Sequence, residues 1–243
     1  MDAIEIDVTY RCDLGCLNCD RSCGQAPADD DMSVSQIRKF LEESVQKNIT
    51  WRRIRIMGGE PLLHPEIELI LTLFDSYGKE HPQTEIELYT NGLSKNRTIP
   101  VPSGIKIHST KKTGKINSLF EPYNLAPSDL SITDDFGNGC WITSDCGLGL
   151  NKYGYYPCAT GAAIDRVFGF DIGLKEFPMS EEKCSEMKSI LCAYCGHYLC
   201  GGNYTTPDSR VSLNMLEPMT KSWVSAYAEY NRKKPELMEG GRL

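Results

Sequence analysis

Residues 3–9 alternate, with Ile4, Ile6 and Val8 on one face and polar side chains between them, the period of a strand with one buried face. Ser33 and Gln36 then form an S-x-x-Q capping box, and Val34, Ile37, Phe40, Leu41 and Val45 follow at helical spacing. Residues 53–57 read as a second strand, running into Gly58-Gly59-Glu60-Pro61. Pro65 suits the first turn of a second helix carrying Ile67, Ile70, Leu71 and Phe74, with Gly78 as its expected stop. Residues 84–89 read as a third strand leading into Thr90-Asn91-Gly92, and residues 105–109 as a fourth. This alternation predicts right-handed βαβ units and a mainly parallel sheet, an α/β fold. Chemistry in such sheets sits at the C-terminal strand ends. The cysteine loop after the first strand, residues 58–61 and residues 90–92 all fall there.

The pattern weakens over 111–138, which read as loop with short helix or strand fragments. From Cys140 the composition changes, with seven cysteines between positions 140 and 200. Residues 148–157, with Asn151-Lys152-Tyr153-Gly154 at the tip, read as a hairpin closed between Cys146 and Cys158. Residues 180–191 and 220–233 read as helices, and 239–243 as a frayed tail. The expected division is residues 1–138 and residues 139–243.

A chain of 243 residues with 40% hydrophobic content is not a disordered one. The net charge of −7 argues against a broad nucleic-acid or anionic-membrane surface. The short basic group Lys111, Lys112 and Lys115 reads as a solvated loop. No stretch approaches the roughly 18 apolar residues of a membrane span. Met-Asp-Ala-Ile-Glu at the start carries acid where a secretory signal would carry base, so a cytoplasmic protein is expected. Eleven cysteines in a reducing compartment point to metal, iron–sulfur or redox chemistry.

The first cysteines are spaced Cys12-x3-Cys16-x2-Cys19. Three thiolates on one loop can hold three irons of a [4Fe–4S] cube and leave the fourth open; a zinc site or three unrelated thiols are the alternatives. This triplet after strand one, with Gly58-Gly59-Glu60-Pro61 after strand two, resembles the radical S-adenosylmethionine (radical SAM) superfamily over about residues 3–110. The resemblance implies a partial (β/α)6-type barrel whose open iron is chelated by SAM. It implies that Gly58, Gly59 and Glu60 meet the SAM amino group, with Pro61 closing the motif. It places Thr90, Asn91 and Ser109 where the family has polar contacts to SAM or substrate; ordinary turn and strand chemistry is the alternative for them. Asn18 stands where the family usually has an aromatic residue, and strands five and six of the barrel are not evident between 111 and 139. Cys23 reads either as a packed thiol or as a hydrogen-atom donor or substrate-facing group.

The later cysteines run Cys140-x5-Cys146-x11-Cys158, then Cys184-x7-Cys192-x2-Cys195-x4-Cys200-Gly201-Gly202. This resembles the SPASM/Twitch extensions of radical SAM enzymes, which carry auxiliary iron–sulfur clusters on a cysteine-rich hairpin and helix. One cluster would use Cys140, Cys158, Cys192 and Cys195. Two would divide the set into Cys140, Cys146 and Cys158 against Cys184, Cys192, Cys195 and Cys200. A zinc site at Cys192, Cys195, His197 and Cys200 fits no common zinc spacing.

The resemblance implies reductive SAM cleavage to a 5′-deoxyadenosyl radical, fed by an external one-electron reductant of flavodoxin or ferredoxin type. Hydrogen abstraction from a biosynthetic substrate follows, giving oxidation, crosslinking or epimerisation, as in natural-product or metabolite biosynthesis. Because the first strand begins at the N-terminus, a small molecule is favoured over a ribosomal peptide or protein side chain. A non-catalytic iron–sulfur carrier or a zinc-binding module is the reading of another class.

Overall fold

The computed structural model of the protein describes residues 2–16, 18–93, 99–109, 123–131, 135–177, 179–200 and 219–240. The basic group at 111, 112 and 115 lies outside them. The strands are β1 (Ala3–Thr9), β2 (Arg53–Gly58), β3 (Glu85–Thr90), β4 (Lys106–Ser109), β5 (Leu148–Asn151) and β6 (Gly154–Tyr156). They form one sheet in the order β4-β3-β2-β1-β5-β6. All neighbours pair in parallel except β5 and β6. The fold is therefore α/β with a mixed six-stranded sheet.

Helices α1 (Val34–Gln46) and α2 (Ile67–Glu80) connect the first three strands. The capping box at Ser33 and Gln36 forms as the sequence predicts, satisfying two backbone N–H groups at the start of α1. Ile4, Ile6, Val8, Ile54, Ile56 and Leu88 pack with Phe40 and Phe74 in the core between these helices and one sheet face. The second helix ends at Glu80, close to Gly78 as expected, though Gly78 itself lies inside the last turn. A Cβ at Gly78 would lie 3.1 Å from Ile86 Cγ1, so the glycine serves the close approach of α2 to β3.

The hairpin forms where the sequence predicts, but its partner is not local. β5 pairs in parallel with β1, Ile4 opposite Leu148 and Ile6 opposite Leu150. The hairpin thus continues the N-terminal sheet and supplies its fifth strand. The remaining helices are α3 (Ile142–Asp145), α4 (Ala159–Phe168), α5 (Glu181–Leu191), α6 (Gly196–Cys200) and α7 (Lys221–Gly240). The sequence reading missed α4, because its small residues Ala159, Gly161, Ala162 and Ala163 carry little apolar signal. A second core joins Tyr123, Tyr156, Ile164, Met187, Leu191 and Trp223. Among the described residues no helix is long and apolar enough to cross a membrane.

Candidate active site

The end of β1 and the end of β2 are joined before any side chain acts. Gly59 N–H donates to Thr9 O at 2.8 Å and Glu60 N–H donates to Arg11 O at 2.7 Å. A Cβ on Gly58, where φ is 132°, would lie 2.2 Å from Thr9 O, and one on Gly59 2.3 Å from Arg11 O. The two glycines are thus required by the chain's own cysteine loop. Gly59→Ala is expected to destabilise the fold by about 2–4 kcal/mol, from overpacking and a lost hydrogen bond. Urea denaturation checks this, and a variant within about 0.5 kcal/mol of wild type, the range of a neutral surface change, would contradict it.

Glu60 is fully buried, at 0% exposure. Its Oε1 accepts from Leu62 N–H at 3.1 Å and from the Thr90 hydroxyl at 2.9 Å, and its Oε2 accepts from Asn91 N–H at 2.7 Å. Asn91 Nδ2 in turn donates to Asp13 Oδ1 at 2.6 Å, beside Cys12. The loops after β1, β2 and β3 therefore close on one carboxylate. Burial raises the pKa of Glu60 against the pull of those donors. Thr90 and Asn91 are spent on this scaffold. Ser109 pairs in register with Thr90 but is exposed on β4.

The cysteine loop is tied down on both sides. Gln25 Nε2 donates to Cys16 O at 2.8 Å, and the Ser22 hydroxyl bonds the Tyr227 hydroxyl of α7 at 2.9 Å. Cys16 and Cys23 are buried, and Cys12 and Cys19 half-buried. Burial pushes the Cys12 thiol up to about 11, with the Cys19 and Glu60 charges adding to it, so these groups share one neighbourhood. A hydrogen bond from Cys23 lowers Cys19 to about 7, and the same bond with burial raises Cys23 well above the usual thiol range. Cys23 also lines a cavity of about 290 Å³ with Cys12, Tyr10 and Arg11.

The sheet face opposite the apolar core is charged, which the sequence reading did not single out. Arg21 reaches from the cysteine loop to Glu5 at 2.8 Å, Asp7 at 3.2 Å and Asp20 at 2.6 Å. Arg55 bridges Glu5 and Glu87 at 2.9 and 3.0 Å, and His108 Nε2 lies 3.0 Å from Glu87. The signal was present: Glu5 and Asp7 occupy the alternate positions to Ile4, Ile6 and Val8.

Four carboxylates, that of Asp20 in the cysteine loop among them, thus share two guanidiniums. Burial lifts Asp7 from 3.8 to about 6 despite Arg21. Between those values the folded state binds more protons than the unfolded chain, so stability falls as pH rises through the window. Asp7→Asn is expected to flatten that part of the curve. Urea midpoints at pH values across the window test it, and an unchanged slope would remove Asp7 as the cause.

A second group of thiols forms behind β5 and β6. Cys140, Cys158, Cys192 and Cys195 line one small cavity with Ile164, Leu191 and Tyr198. Burial raises all four, Cys192 to about 12, and the neighbouring sulfurs raise Cys158, Cys192 and Cys195 further. Cys158 Sγ caps α4, accepting Gly161 N–H at 3.3 Å. The other candidates are not part of this lining. Cys146 Sγ faces Arg55 Nη1 at 3.7 Å, and Cys184 sits buried on α5 outside the cavity lining. The side chain of Cys200 lies outside the described residues. Among the described residues no three His, Cys, Asp or Glu side chains are placed for a single metal ion.

Residues 6–100 match the family model of the Radical SAM superfamily. A GTP 3′,8-cyclase of Aliarcobacter butzleri is 29% identical over 94 residues, 38% of this chain and 28% of that protein. A probable GTP 3′,8-cyclase of Methanopyrus kandleri is 32% identical over 91 residues, 37% of this chain and 27% of that protein. The chain thus spans under a third of the length of these relatives. The crystal structure of BtrN in complex with AdoMet and 2-DOIA aligns at 16% identity with a TM-score of 0.48, covering 80% of this chain and 88% of that one.

Proposed function

We propose that the protein is a radical SAM enzyme acting on a biosynthetic small molecule. The observation that carries this reading is the convergence of the loops after β1, β2 and β3 on Glu60, beside Cys12. The donor set fits the group. Cys12, Cys16 and Cys19 would hold a [4Fe–4S] cluster, and Cys19 is already biased toward thiolate. When bound and reduced by an external flavodoxin- or ferredoxin-type donor, that cluster with SAM supplies a 5′-deoxyadenosyl radical for hydrogen abstraction.

The chain's own residues do the rest. Glu60 accepts from three protein donors and keeps acceptor capacity for one more, which suits an ammonium group of SAM. Thr90 and Asn91 hold that carboxylate in place. Hydrogen bonding with Cys23 favours the Cys19 thiolate, so Cys23 acts as a positioning residue for a cluster ligand.

The four thiols at Cys140, Cys158, Cys192 and Cys195 fit a Twitch-like auxiliary iron–sulfur cluster, which would supply an electron acceptor. A multi-iron cluster holds its thiolates farther apart than a single ion does, and buried thiols need a cationic partner to ionise. Net oxidation of the substrate is the reaction this pairing favours.

The test is anaerobic incubation of the reconstituted protein with SAM and dithionite. The expected products are methionine and 5′-deoxyadenosine. A reconstituted protein that binds iron and sulfide but forms neither product would overturn the reading.

A further inference from the structure

A cavity of about 610 Å³ opens where β1 and β5 end. It is bounded by Pro27, Ala28 and Asp29, the hairpin tip, the end of α4 and the face of α7. The same Pro27, Ala28 and Asp29 wall the cavity over Cys12 and Cys23, so the two spaces adjoin. Its size is that of a small-molecule site, and its position at the carboxyl ends of the strands is where such sheets bind ligands.

Arg166 of α4 lines this cavity and is only 8% exposed. Nη1 donates to Ala26 O and to the Tyr230 hydroxyl, each at 2.8 Å, and Nη2 donates to Arg21 O at 2.9 Å. The Tyr10 and Tyr230 rings lie 4.3 and 5.2 Å from the guanidinium carbon. Nε is buried with no hydrogen-bond partner among the described residues. None of these partners is an anion.

Five carboxylates line the cavity, and four are engaged elsewhere, Asp29 on Arg11 at 3.4 Å; Asp171 is the fifth. Asp30 has its oxygens on Lys152 Nζ at 2.9 Å and the Tyr153 hydroxyl at 2.7 Å. Asp165 accepts from the Tyr156 hydroxyl at 2.5 Å, and Glu229 pairs with Arg232 and Lys233. This guanidinium keeps its charge under burial, yet among the described residues no carboxylate pairs with it, Asp30 acting on it only at longer range.

We propose that this cavity binds a ligand through a carboxylate or phosphate group, with Arg166 as the counter-cation and the rings of Tyr153, Tyr230 and Phe168 as an aromatic wall. The inference deepens the proposed function, since it assigns the cavity beside the cysteine loop an anionic ligand. The anion belongs either to the substrate or to the methionine carboxylate of SAM, and the two are separable by competition.

Gly169 gives a probe that leaves Arg166 untouched. It lines the cavity at φ 71°, with nothing within 4 Å of its Cβ position. Asn and Asp tolerate that left-handed backbone, and they differ in charge alone.

The experiment is isothermal titration of inorganic phosphate into the reconstituted full chain at constant ionic strength, with chloride as control. Saturable single-site binding is expected, weakened about tenfold or more in Arg166→Gln, the loss of one charge-assisted contact. Gly169→Asp is expected to bind phosphate about tenfold more weakly than Gly169→Asn, from the added like charge. The Gly169 pair decides the matter if Arg166→Gln does not fold. SAM that competes with phosphate would identify the anion as the cofactor's, and SAM that binds alongside phosphate would assign it to the substrate. No saturable phosphate binding in wild type, or equal affinities in the two Gly169 variants, would overturn the proposal. Phosphate binding is read as heat, so it stands or falls separately from 5′-deoxyadenosine formation.

Discussion

Replacing Cys12, Cys16 and Cys19 together by Ala is expected to reduce 5′-deoxyadenosine formation to the level of a protein-free control. Iron should fall by about four atoms per chain, the content of one [4Fe–4S] cluster, while the remaining iron stays. The physical reason is that no other described thiol lies in the neighbourhood shared by Cys12, Cys19 and Glu60 except Cys23, which is hydrogen-bonded to Cys19 and to Arg21 O. The loop itself should persist without the cluster, because Arg21, Gln25 and Ser22 tie it to the sheet and to α7. Iron analysis with product chromatography makes the measurement. Undiminished 5′-deoxyadenosine from the triple variant would end the radical SAM reading.

The second large effect belongs to the four thiols behind the hairpin. Cys158→Ala combined with Cys192→Ala is expected to remove about four further irons while SAM cleavage survives. A fall in thermal stability should accompany it, since metal binding and folding are coupled in such a site. Single Cys146→Ala and Cys184→Ala variants should keep wild-type iron, because neither side chain lines the cavity that the other four share. Iron lost on Cys146→Ala would instead support the division into two clusters. Loss of substrate oxidation with retained SAM cleavage in the double variant would match the role proposed for this group.

Much of the scaffold was legible because its signals are local. The alternation around Ile4, Ile6 and Val8, the capping box at Ser33 and Gln36, and the hairpin tip at Asn151 to Gly154 each act within a few residues. The cysteine spacing and the glycines after β2 are local too, and they mark the strand ends as the site. The reason for Gly58 and Gly59 was not local. Their hydrogens face Thr9 and Arg11, about fifty residues earlier in the chain, so only the folded structure shows what a side chain there would strike.

Four matters rested on the tertiary structure. Gly78 reads locally as a helix stop, yet packing of α2 on Ile86 makes it an interior residue. The hairpin is locally an independent unit, yet its free edge pairs with β1 and makes it part of the main sheet. The spacing of the later cysteines allowed one cluster or two, and the turn from β6 into α4 brings Cys158 to Cys140, Cys192 and Cys195 while Cys146 faces Arg55. Arg166 carries no motif at all, and its meaning comes from burial beside a cavity with no carboxylate paired to it among the described residues. Residue type and spacing along the chain pointed to the chemistry proposed for this protein, because ligand identity and helix or strand period are properties of short segments. The partners of those residues were decided by contacts between distant segments, which form only when burial of both sheet faces fixes the register of the whole sheet.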